Sequence, residues 1–402
     1  MRLNLRHLEA ATIIARRGGI SAAAPVVNLS QPALTQAIAK LETQLGHALF
    51  DRLPTGMVPT PAGVLMLPRI ERAMALLAEA VRQVRRPGRA GGAPPARLIT
   101  MAQLRAVIAV ERAGSYVLAA AAAGVSEPSL HRAAGELEAV LGTRLLERDG
   151  RTIRATAAAR RFVRPARLAL AELQAGMDEL AAIDAASAGR MSIGAMPLAR
   201  AGLVPRTVAL FCAAHPAARL RILEGPYAEL LAGLRAGEID VLIGALREPL
   251  PSRDIAQETL FEDWLTIAAA ARHPLAGRGA IPPAAARAYP WVMAPAGTPL
   301  RARWEGWFTA AGLAPPEVAV ECSSVVAIRG LLLEGDWLTL LSPDQFRIER
   351  EAGLLAALGP RIEGSLRRIG LTTRADWQPT RLQRDFVAML RQVSAARPPG
   401  IE

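Results

Sequence analysis

The sequence predicts a mixed fold: two small helix-rich domains in tandem, followed by a larger α/β body. Three observations carry this expectation. The chain matches itself without a gap when shifted by 96 residues, each matched segment runs from helical stripes into a short hairpin, and from Met191 onward strand and helix patterns alternate. The self-match places Leu8 on Leu104, Gly18 on Gly114, Pro32 on Pro128, Glu42 on Glu138, Gly46 on Gly142 and Thr60 on Thr156. One fixed spacing held from Leu8 to Thr60 marks a tandem duplication.

The chain has 402 residues, enough for two to four domains at roughly 100–200 residues each. Hydrophobic residues make up 51% and charged residues 21%, which excludes wholesale disorder. No run approaches the ~18 apolar residues of a membrane span. The N-terminal stretch interrupts its apolar residues with Arg6, His7 and Glu9, so it reads as an amphipathic helix rather than a secretion signal. A cytoplasmic protein without membrane contact is expected. The two cysteines, Cys212 and Cys322, form no CxxC or Cys/His cluster, which argues against a disulfide framework or zinc site; no metal or other cofactor is expected.

Placement of the +12 net charge is informative. Residues 1–96 hold 12 basic and 5 acidic side chains, residues 97–190 hold 13 and 10, and the remainder 23 and 21. Such a bias suits a polyanion-binding head on a nearly neutral body, or simply a solvated basic surface.

In the first copy, Leu5, Leu8, Thr12, Ile13 and Ala15 form a helical stripe that ends at Gly18-Gly19. Ser21 reads as the N-cap of a short alanine-rich helix through Val27. Ser30-Gln31-Pro32 opens a third helix whose stripe, Leu34, Ile38, Leu41 and Leu45, stops at Gly46. Leu49-Phe50 and Met57-Val58 flank a Pro/Gly turn and predict a small wing, and a long helix follows Thr60-Pro61 to about Arg86. Helix, turn, capped helix and wing is the winged helix-turn-helix plan, whose recognition helix enters the DNA major groove.

These residues carry a resemblance. Gly19-Ile20-Ser21, Ser30-Gln31-Pro32-Ala33-Leu34-Thr35-Gln36, Leu41-Glu42, Leu45-Gly46, Leu49-Phe50-Asp51-Arg52 and Thr60-Pro61-Ala62-Gly63 resemble the LysR-type transcriptional regulators. Members of that family normally carry one such head, a linker helix and a two-lobed effector domain; here the head occurs twice. The expected domains are head one at 1–86, a Gly/Pro-rich tether at 87–97, head two at 98–155, a linker helix at 156–188 and an effector domain at 189–396. The helix over about Thr156–Ala185 resembles the family's dimerising helix, with Leu168, Leu173 and Leu180 as seam residues; a simple spacer helix is the alternative. A homo-oligomer, dimer or tetramer, follows from the resemblance.

In the body, Met191–Ala195, Arg219–Glu224 and Glu238–Gly244 read as strands, with helices around Leu203–His215 and Tyr227–Ala236, which implies a mostly parallel sheet. Gly237-Glu238-Ile239-Asp240, Ile243-Gly244 and His273-Pro274 resemble the family's effector domain, which implies the two-lobed fold of periplasmic solute-binding proteins. Lobe I is expected at about 189–267 and 367–396, and lobe II at 268–366, with crossings near 265–270 and 364–370. Ligands of open parallel sheets sit beyond the carboxyl ends of strands. That rule and the resemblance select Ala195, Met196, Pro197, Tyr227 and Ala245 from lobe I, and Gly297, Thr298, Ser323 and Ser324 from lobe II. Thr298 and Ser323 are the polar candidates, Met196 and Tyr227 an apolar wall. Many relatives have Ser or Thr after the first strand; Met196 departs from that. A small organic acid or sugar is the expected effector.

No GxSxG, HExxH, P-loop or GxGxxG is present, and the five histidines are scattered, so no enzyme is expected. The leading function is a ligand-responsive, sequence-specific DNA-binding regulator, with RNA polymerase as a further partner. Alternatives are a solute-binding protein or a two-lobed enzyme with an accessory DNA-binding head. In the first head, Gln31, Thr35 and Gln36 are expected at base edges, and Ser30, Pro32, Lys40 and Arg52 along the backbone. In the second head, Ser126, Arg132, Arg148 and Arg154 keep some phosphate-binding capacity. Glu127 there replaces Gln31, Glu136 replaces Lys40, Gly135 replaces Ala39, and Val117 sits where Ser21 would cap. The second head is therefore expected to add modest affinity or serve as a spacer, with specificity supplied mainly by the first; two equally competent readers are the alternative.

Overall fold

The computed structural model describes residues 3–54, 56–85, 95–184 and 189–396, so most of the expected tether lies outside the described residues. The chain splits into two units. One is Met1–Arg190 with Arg235–Glu238, and the other is Met191–Leu234 with Ile239–Glu402.

The first unit holds both heads. Copy one comprises α1 (Leu5–Arg17), α2 (Ile20–Val27), α3 (Gln31–Leu45), β1 (Phe50–Leu53), β2 (Gly56–Pro59) and α4 (Pro61–Val84). After the short α5 (Pro95–Leu98), copy two comprises α6 (Met101–Ala113), α7 (Tyr116–Ala123), α8 (Glu127–Leu141), β3 (Leu146–Asp149), β4 (Thr152–Ala155) and α9 (Ala157–Asp184). Asn4 caps α1 by accepting the Arg6 N–H at 2.9 Å, and Gly18 ends it in the left-handed region at φ 76°, where a side chain would be strained. Helix α3 starts at Ser30, whose hydroxyl accepts the Ala33 N–H, and buries Leu34, Ala37, Ile38 and Leu41. Helices α6 and α7 meet at 120°, and among the described residues no single helix is long and apolar enough to cross a membrane.

Duplication extends to individual hydrogen bonds. The Glu42 carboxylate accepts the N–H groups of Leu49 and Phe50 at 2.7 and 3.2 Å, tying α3 to its wing. Glu138 does the same for Leu145 and Leu146 at 2.7 and 2.9 Å. Thr60 caps α4 while donating to Ala48 O at 2.6 Å, and Thr156 caps α9 while donating to Arg144 O at 2.9 Å. Each wing is pinned to the end of the first helix, by Met57 N–H to Gly18 O and Ile153 N–H to Gly114 O, both at 2.8 Å.

One expectation reverses here. Ser21 does not cap α2; that position belongs to Gly19, and the helix begins at Ile20. In the second copy Ser115 occupies the cap position and accepts the Leu118 N–H. The second copy therefore has the better capped helix, because the cap falls two residues earlier than the serine at 21 suggests.

Helices α4 and α9 pack antiparallel along their length. At one end the Thr143 hydroxyl donates to Val84 O at 3.0 Å, and at the other His47 Nε2 lies 3.3 Å from the Asp184 carboxylate. Positions 47 and 143 are equivalent under the 96-residue shift, so the two copies are related by a pseudo-two-fold. Equivalent side chains fill the seam: Ile70 with Ala166, Ala73 with Ala169, Leu77 with Leu173. This corrects the expected seam between chains. Leu173 and Leu180 are buried, at 0% and 2% exposure, but in a core shared with α4 of the same chain, and Leu168 is only partly buried. Arg69, 6% exposed, sits in this interface between Glu172 (2.9 Å) and Glu179 (3.3 Å). Burial alone would lower its pKa, yet the two carboxylates raise it above the ordinary value, so the guanidinium stays charged.

The second unit begins with β5 (Gly189–Ala195), α10 (Pro197–Ala201), α11 (Leu203–Ala214), β6 (Ala218–Leu223), α12 (Tyr227–Arg235), β7 (Val241–Ala245) and β8 (Ile255–Asp263). The chain continues through β9 (Thr266–Ala270), α13 (Pro283–Ala286), β10 (Val292–Met293), α14 (Pro299–Ala310), β11 (Val320–Glu321), α15 (Val325–Glu334) and β12 (Thr339–Leu341). A 3-10 turn (Pro343–Phe346), α16 (Arg347–Glu351), β13 (Leu355–Leu358), β14 (Arg367–Arg374) and α17 (Arg381–Ala395) complete it. One sheet runs β6-β5-β7-β14-β8 and the second β12-β9-β13, with β10 and β11 joined to β12 through a bridge between Trp291 and Leu338. The expectation of a mostly parallel sheet needs correction. β5 and β7 pair parallel, while β14 is antiparallel to both β7 and β8, so the sheet is mixed. The chain re-enters this sheet from the second lobe as β14, inserted between β7 and β8 and running against both. Lobe crossings fall at residues 264–265 and 359–366, between β8 and β9 and between β13 and β14. Phe211 and Phe386 centre one lobe core, and Trp291, Trp304 and Phe308 the other.

Two stability outcomes follow. Gly135 lies in the exposed interior of α8 with open space around its would-be Cβ. Gly135→Ala should stabilise the head unit by about 1 kcal/mol, read as a raised urea midpoint at unchanged slope. Glu138→Ala removes two charge-assisted bonds to backbone and should destabilise the second head by about 2 kcal/mol, seen first as faster amide exchange at Leu145 and Leu146.

Candidate nucleic-acid interface and effector cleft

In the first head, Ser30, Gln31, Pro32, Gln36 and Lys40 are all exposed along α3, and Arg52 is exposed on the wing strand β1. Pro32 fits the first turn because no helical partner is needed there. The Gln31 side chain is oriented by Ser21, whose hydroxyl donates to Oε1 at 3.3 Å. Ser21, expected as a cap, instead aims the amide, leaving its NH2 facing outward. Thr35 is only half-exposed and its hydroxyl donates to Gln31 O at 2.9 Å, so its polar group is committed to the helix. Lys40 lies beside His7 of α1, whose pKa is lowered by burial and further by that charge.

The equivalent face of α8 has different chemistry. Ser126, Glu127, His131 and Arg132 are exposed. The Ser126 hydroxyl bonds that of Ser129 at 2.7 Å rather than capping the helix. Glu127 and His131 lie 3.6 Å apart one turn apart, and the His131 ring stacks on Tyr116 at 3.5 Å. Tyr116 and His131 went unnoticed in the sequence, because their meeting depends on the packing of α7 against α8. Glu136 is held by the Gln103 amide at 3.1 Å, so part of the acidity of α8 is tied into the head. In the wing, Arg148 is exposed while Arg154 is paired with Asp149 at 2.8 Å.

In the body, the lobe I candidates converge. Ala195 ends β5, Ala245 ends the neighbouring β7, and the Met196 N–H donates to Ile243 O at 3.0 Å. The Met196 side chain lies on Gly244, where a Cβ would come within 2.5 Å of it, so this glycine makes room for the methionine wall. Pro197 begins α10, and Tyr227 begins α12 with the Arg247 guanidinium 4.5 Å from its ring centre. The Tyr227 hydroxyl is buried with no hydrogen-bond partner, and burial raises its pKa against the opposing effect of Arg247.

Lobe II candidates sit on the loops after β10 and β11, which run side by side through Cys322 N–H to Met293 O at 2.8 Å. Gly297 is exposed at φ 78°. Thr298 caps α14, accepting the Arg301 N–H and donating to Pro295 O at 2.9 Å. Ser324 caps α15 through the Ala327 N–H, and Ser323 is exposed. Two of the three hydroxyls therefore serve helix ends. The sequence reading missed the arginines. Arg303 of α14 has its pKa lowered by burial and by the charges of Arg367 and Arg247. Arg367 in turn pairs with Asp263 at 2.8 Å beside the lobe crossing, and Asp263 also accepts the Ser342 hydroxyl at 2.5 Å. Arg247 was within reach of sequence reasoning, two residues past Ala245; Arg303 and Arg367 become its neighbours only through the fold.

Comparison with known proteins agrees with both halves of this architecture. Residues 5–64 and 101–160 each match the bacterial regulatory helix-turn-helix protein family of lysR type, and residues 184–395 match the LysR substrate binding domain. The HTH-type transcriptional regulator GalR of Pseudomonas putida is 32% identical over 390 residues, covering 97% of each chain. The regulator PcaQ of Agrobacterium fabrum is 28% identical over 282 residues, covering 70% of this chain and 91% of its own. Among solved structures, CbnR, a LysR family transcriptional regulator, shares the fold with a TM-score of 0.51 at 24% identity, over 73% of this chain and 98% of that one. The chain belongs to the LysR family of DNA-binding transcriptional regulators, which are not enzymes, and it carries the family's helix-turn-helix domain twice ahead of one effector-binding domain.

Proposed function

We propose that the protein is a cytoplasmic regulator that reads DNA through α3 and β1 of the first head and responds to a small anion bound between the lobes of its effector domain. The exposure of Gln31, Gln36 and Lys40 on α3, with Arg52 on the wing, supports the first part. Ser21 engages the Gln31 carbonyl oxygen, so the amide NH2 is left to donate to a major-groove acceptor such as purine N7. Ser30 and Arg52 suit phosphates. The seam expected to join two chains is occupied within one, so a homo-oligomer of this protein assembles through other surfaces.

For the effector, the supporting observation is that Arg247 lies 4.5 Å from the Tyr227 ring centre and Arg367 pairs with Asp263, while burial and the charges of these two arginines lower the Arg303 pKa. One of the three is neutralised by Asp263, and the mutual repulsion of the others is relieved by an anionic ligand. An organic acid fits this site better than a sugar, with the Tyr227 hydroxyl as a further donor. A ligand that binds one arrangement of the lobes more tightly than another shifts the DNA-bound state by that difference.

For the first part, duplex affinity of the full chain should fall steeply with salt, and Gln31→Ala should cost about 1–3 kcal/mol at one base pair. Unchanged base preference in that variant would remove Gln31 from the reading surface. For the second, thermal unfolding of the effector unit should shift upward with small carboxylates in wild type and lose that shift in Arg303→Gln, while duplex binding without effector stays the same. Ser323→Ala should weaken the ligand response only if the exposed hydroxyl touches it. Thr298 is best tested as Ser, which preserves the cap of α14.

A further inference from the structure

An apolar seam such as that between α4 and α9 does not by itself choose its partner. The two helices bury equivalent positions, so α4 could pair with α4 of a second chain, or α9 with α9. The buried charges remove that freedom. Arg69 binds Glu172 and Glu179, and Arg72 binds Glu172 at 3.3 Å. Under the 96-residue shift, position 172 corresponds to Leu76, 179 to Gln83, 69 to Pro165 and 72 to Leu168. A pair of two α4 helices would set Arg69 against Leu76 and Gln83. A pair of two α9 helices would set Glu172 against Pro165 and Leu168, and Glu179 against Pro165. Either leaves charges that are now about nine-tenths buried without a counter-ion, far costlier than losing an exposed pair. Only the heterotypic pair satisfies them.

The heads so joined are unlike in their reading surfaces. Gln31 and Gln36 on α3 present amides, which suit adenine: the NH2 donates to N7 while the carbonyl oxygen accepts from N6, in Gln31 through the lone pair that Ser21 leaves open. Glu127 and Arg132 occupy the same positions on α8, and a carboxylate accepts from the cytosine amino group while a guanidinium takes guanine O6 and N7. His131, where the first head has Thr35, is braced by Tyr116 and Glu127.

We propose that one chain reads both halves of its DNA site: the ion pairs of Arg69 and Arg72 with Glu172 and Glu179 lock two unlike heads together, and the site is a non-palindromic duplex with an adenine-bearing half for α3 and a G·C-bearing half for α8. This rests on the DNA-reading role proposed above. The second head then carries specificity of its own, rather than acting as a spacer.

The test uses the full chain. Duplexes are selected from a random pool at fixed salt, and binding is measured for the selected site and for two palindromes built from each half. The expected result is a site of two different blocks, bound at least tenfold more tightly than either palindrome. Arg132→Ala should relax the G·C block alone and Gln31→Ala the other alone. Arg69→Glu should weaken binding to the two-block site at least tenfold, and adding Arg72→Glu, Glu172→Arg and Glu179→Arg, which reverses every charge of the cluster, should restore it to within threefold, which separates pairing from misfolding. A palindromic site, equal binding to either palindrome, or an unaffected G·C block in Arg132→Ala would overturn the proposal, as would an Arg69→Glu chain that binds normally or is not rescued. If wild type enriches no sequence and binds all duplexes alike, the DNA-reading role itself fails, a result distinct from each of these.

Discussion

Arg69 between Glu172 and Glu179 is the constraint on which the head unit depends. A guanidinium 6% exposed on one long helix needs both carboxylates of the other, and removing one partner of such a buried group costs roughly 3–5 kcal/mol. The apolar seam around it supplies adhesion, while the charges supply identity and register. Because α4 closes the first head and α9 the second, fixing the two helices also fixes the arrangement of both winged domains. The duplicated bonds from Glu42 and Glu138 to the strands that follow then carry that arrangement out to the wings.

Within this frame the two winged domains share several core leucines while differing on their exposed helix faces. Leu34 and Leu130, or Leu41 and Leu137, are interchangeable core residues. Gln31 and Glu127 are not interchangeable at a DNA surface. The acidic side chains of the second head are also held in place, Glu136 by the Gln103 amide and Glu127 beside His131.

The effector domain depends on a different joint. Asp263 ends β8 just before the chain crosses between lobes, and it gathers Arg367 from the returning strand and Ser342 from the second lobe. That carboxylate ties both crossings to one point. Arg247 follows β7 and Arg303 lies on α14, so both lobes contribute positive charge to this region.

The repeat, the helix stripes, the wings and the family motifs were legible in the sequence, because each is set by neighbours a few residues apart or by a fixed offset. The exposed residues of α3 were legible for the same reason: Ser30 and Pro32 mark the helix start, and 3.6 residues per turn then gathers Leu34, Ile38 and Leu41 on the buried side, which leaves Gln31, Gln36 and Lys40 outside it. What the sequence could not decide is which surfaces meet. Leu173 and Leu180 read equally well as a seam between chains or within one, since burial pattern carries no information about the partner's identity. The cap of α2 was misplaced because Ser21 and Gly19 are equally near the turn, and only backbone geometry separates them. The antiparallel insertion of β14, the brace of Tyr116 on His131 and the approach of Arg303 to Arg247 join segments far apart in the chain, and only the tertiary structure brings them together.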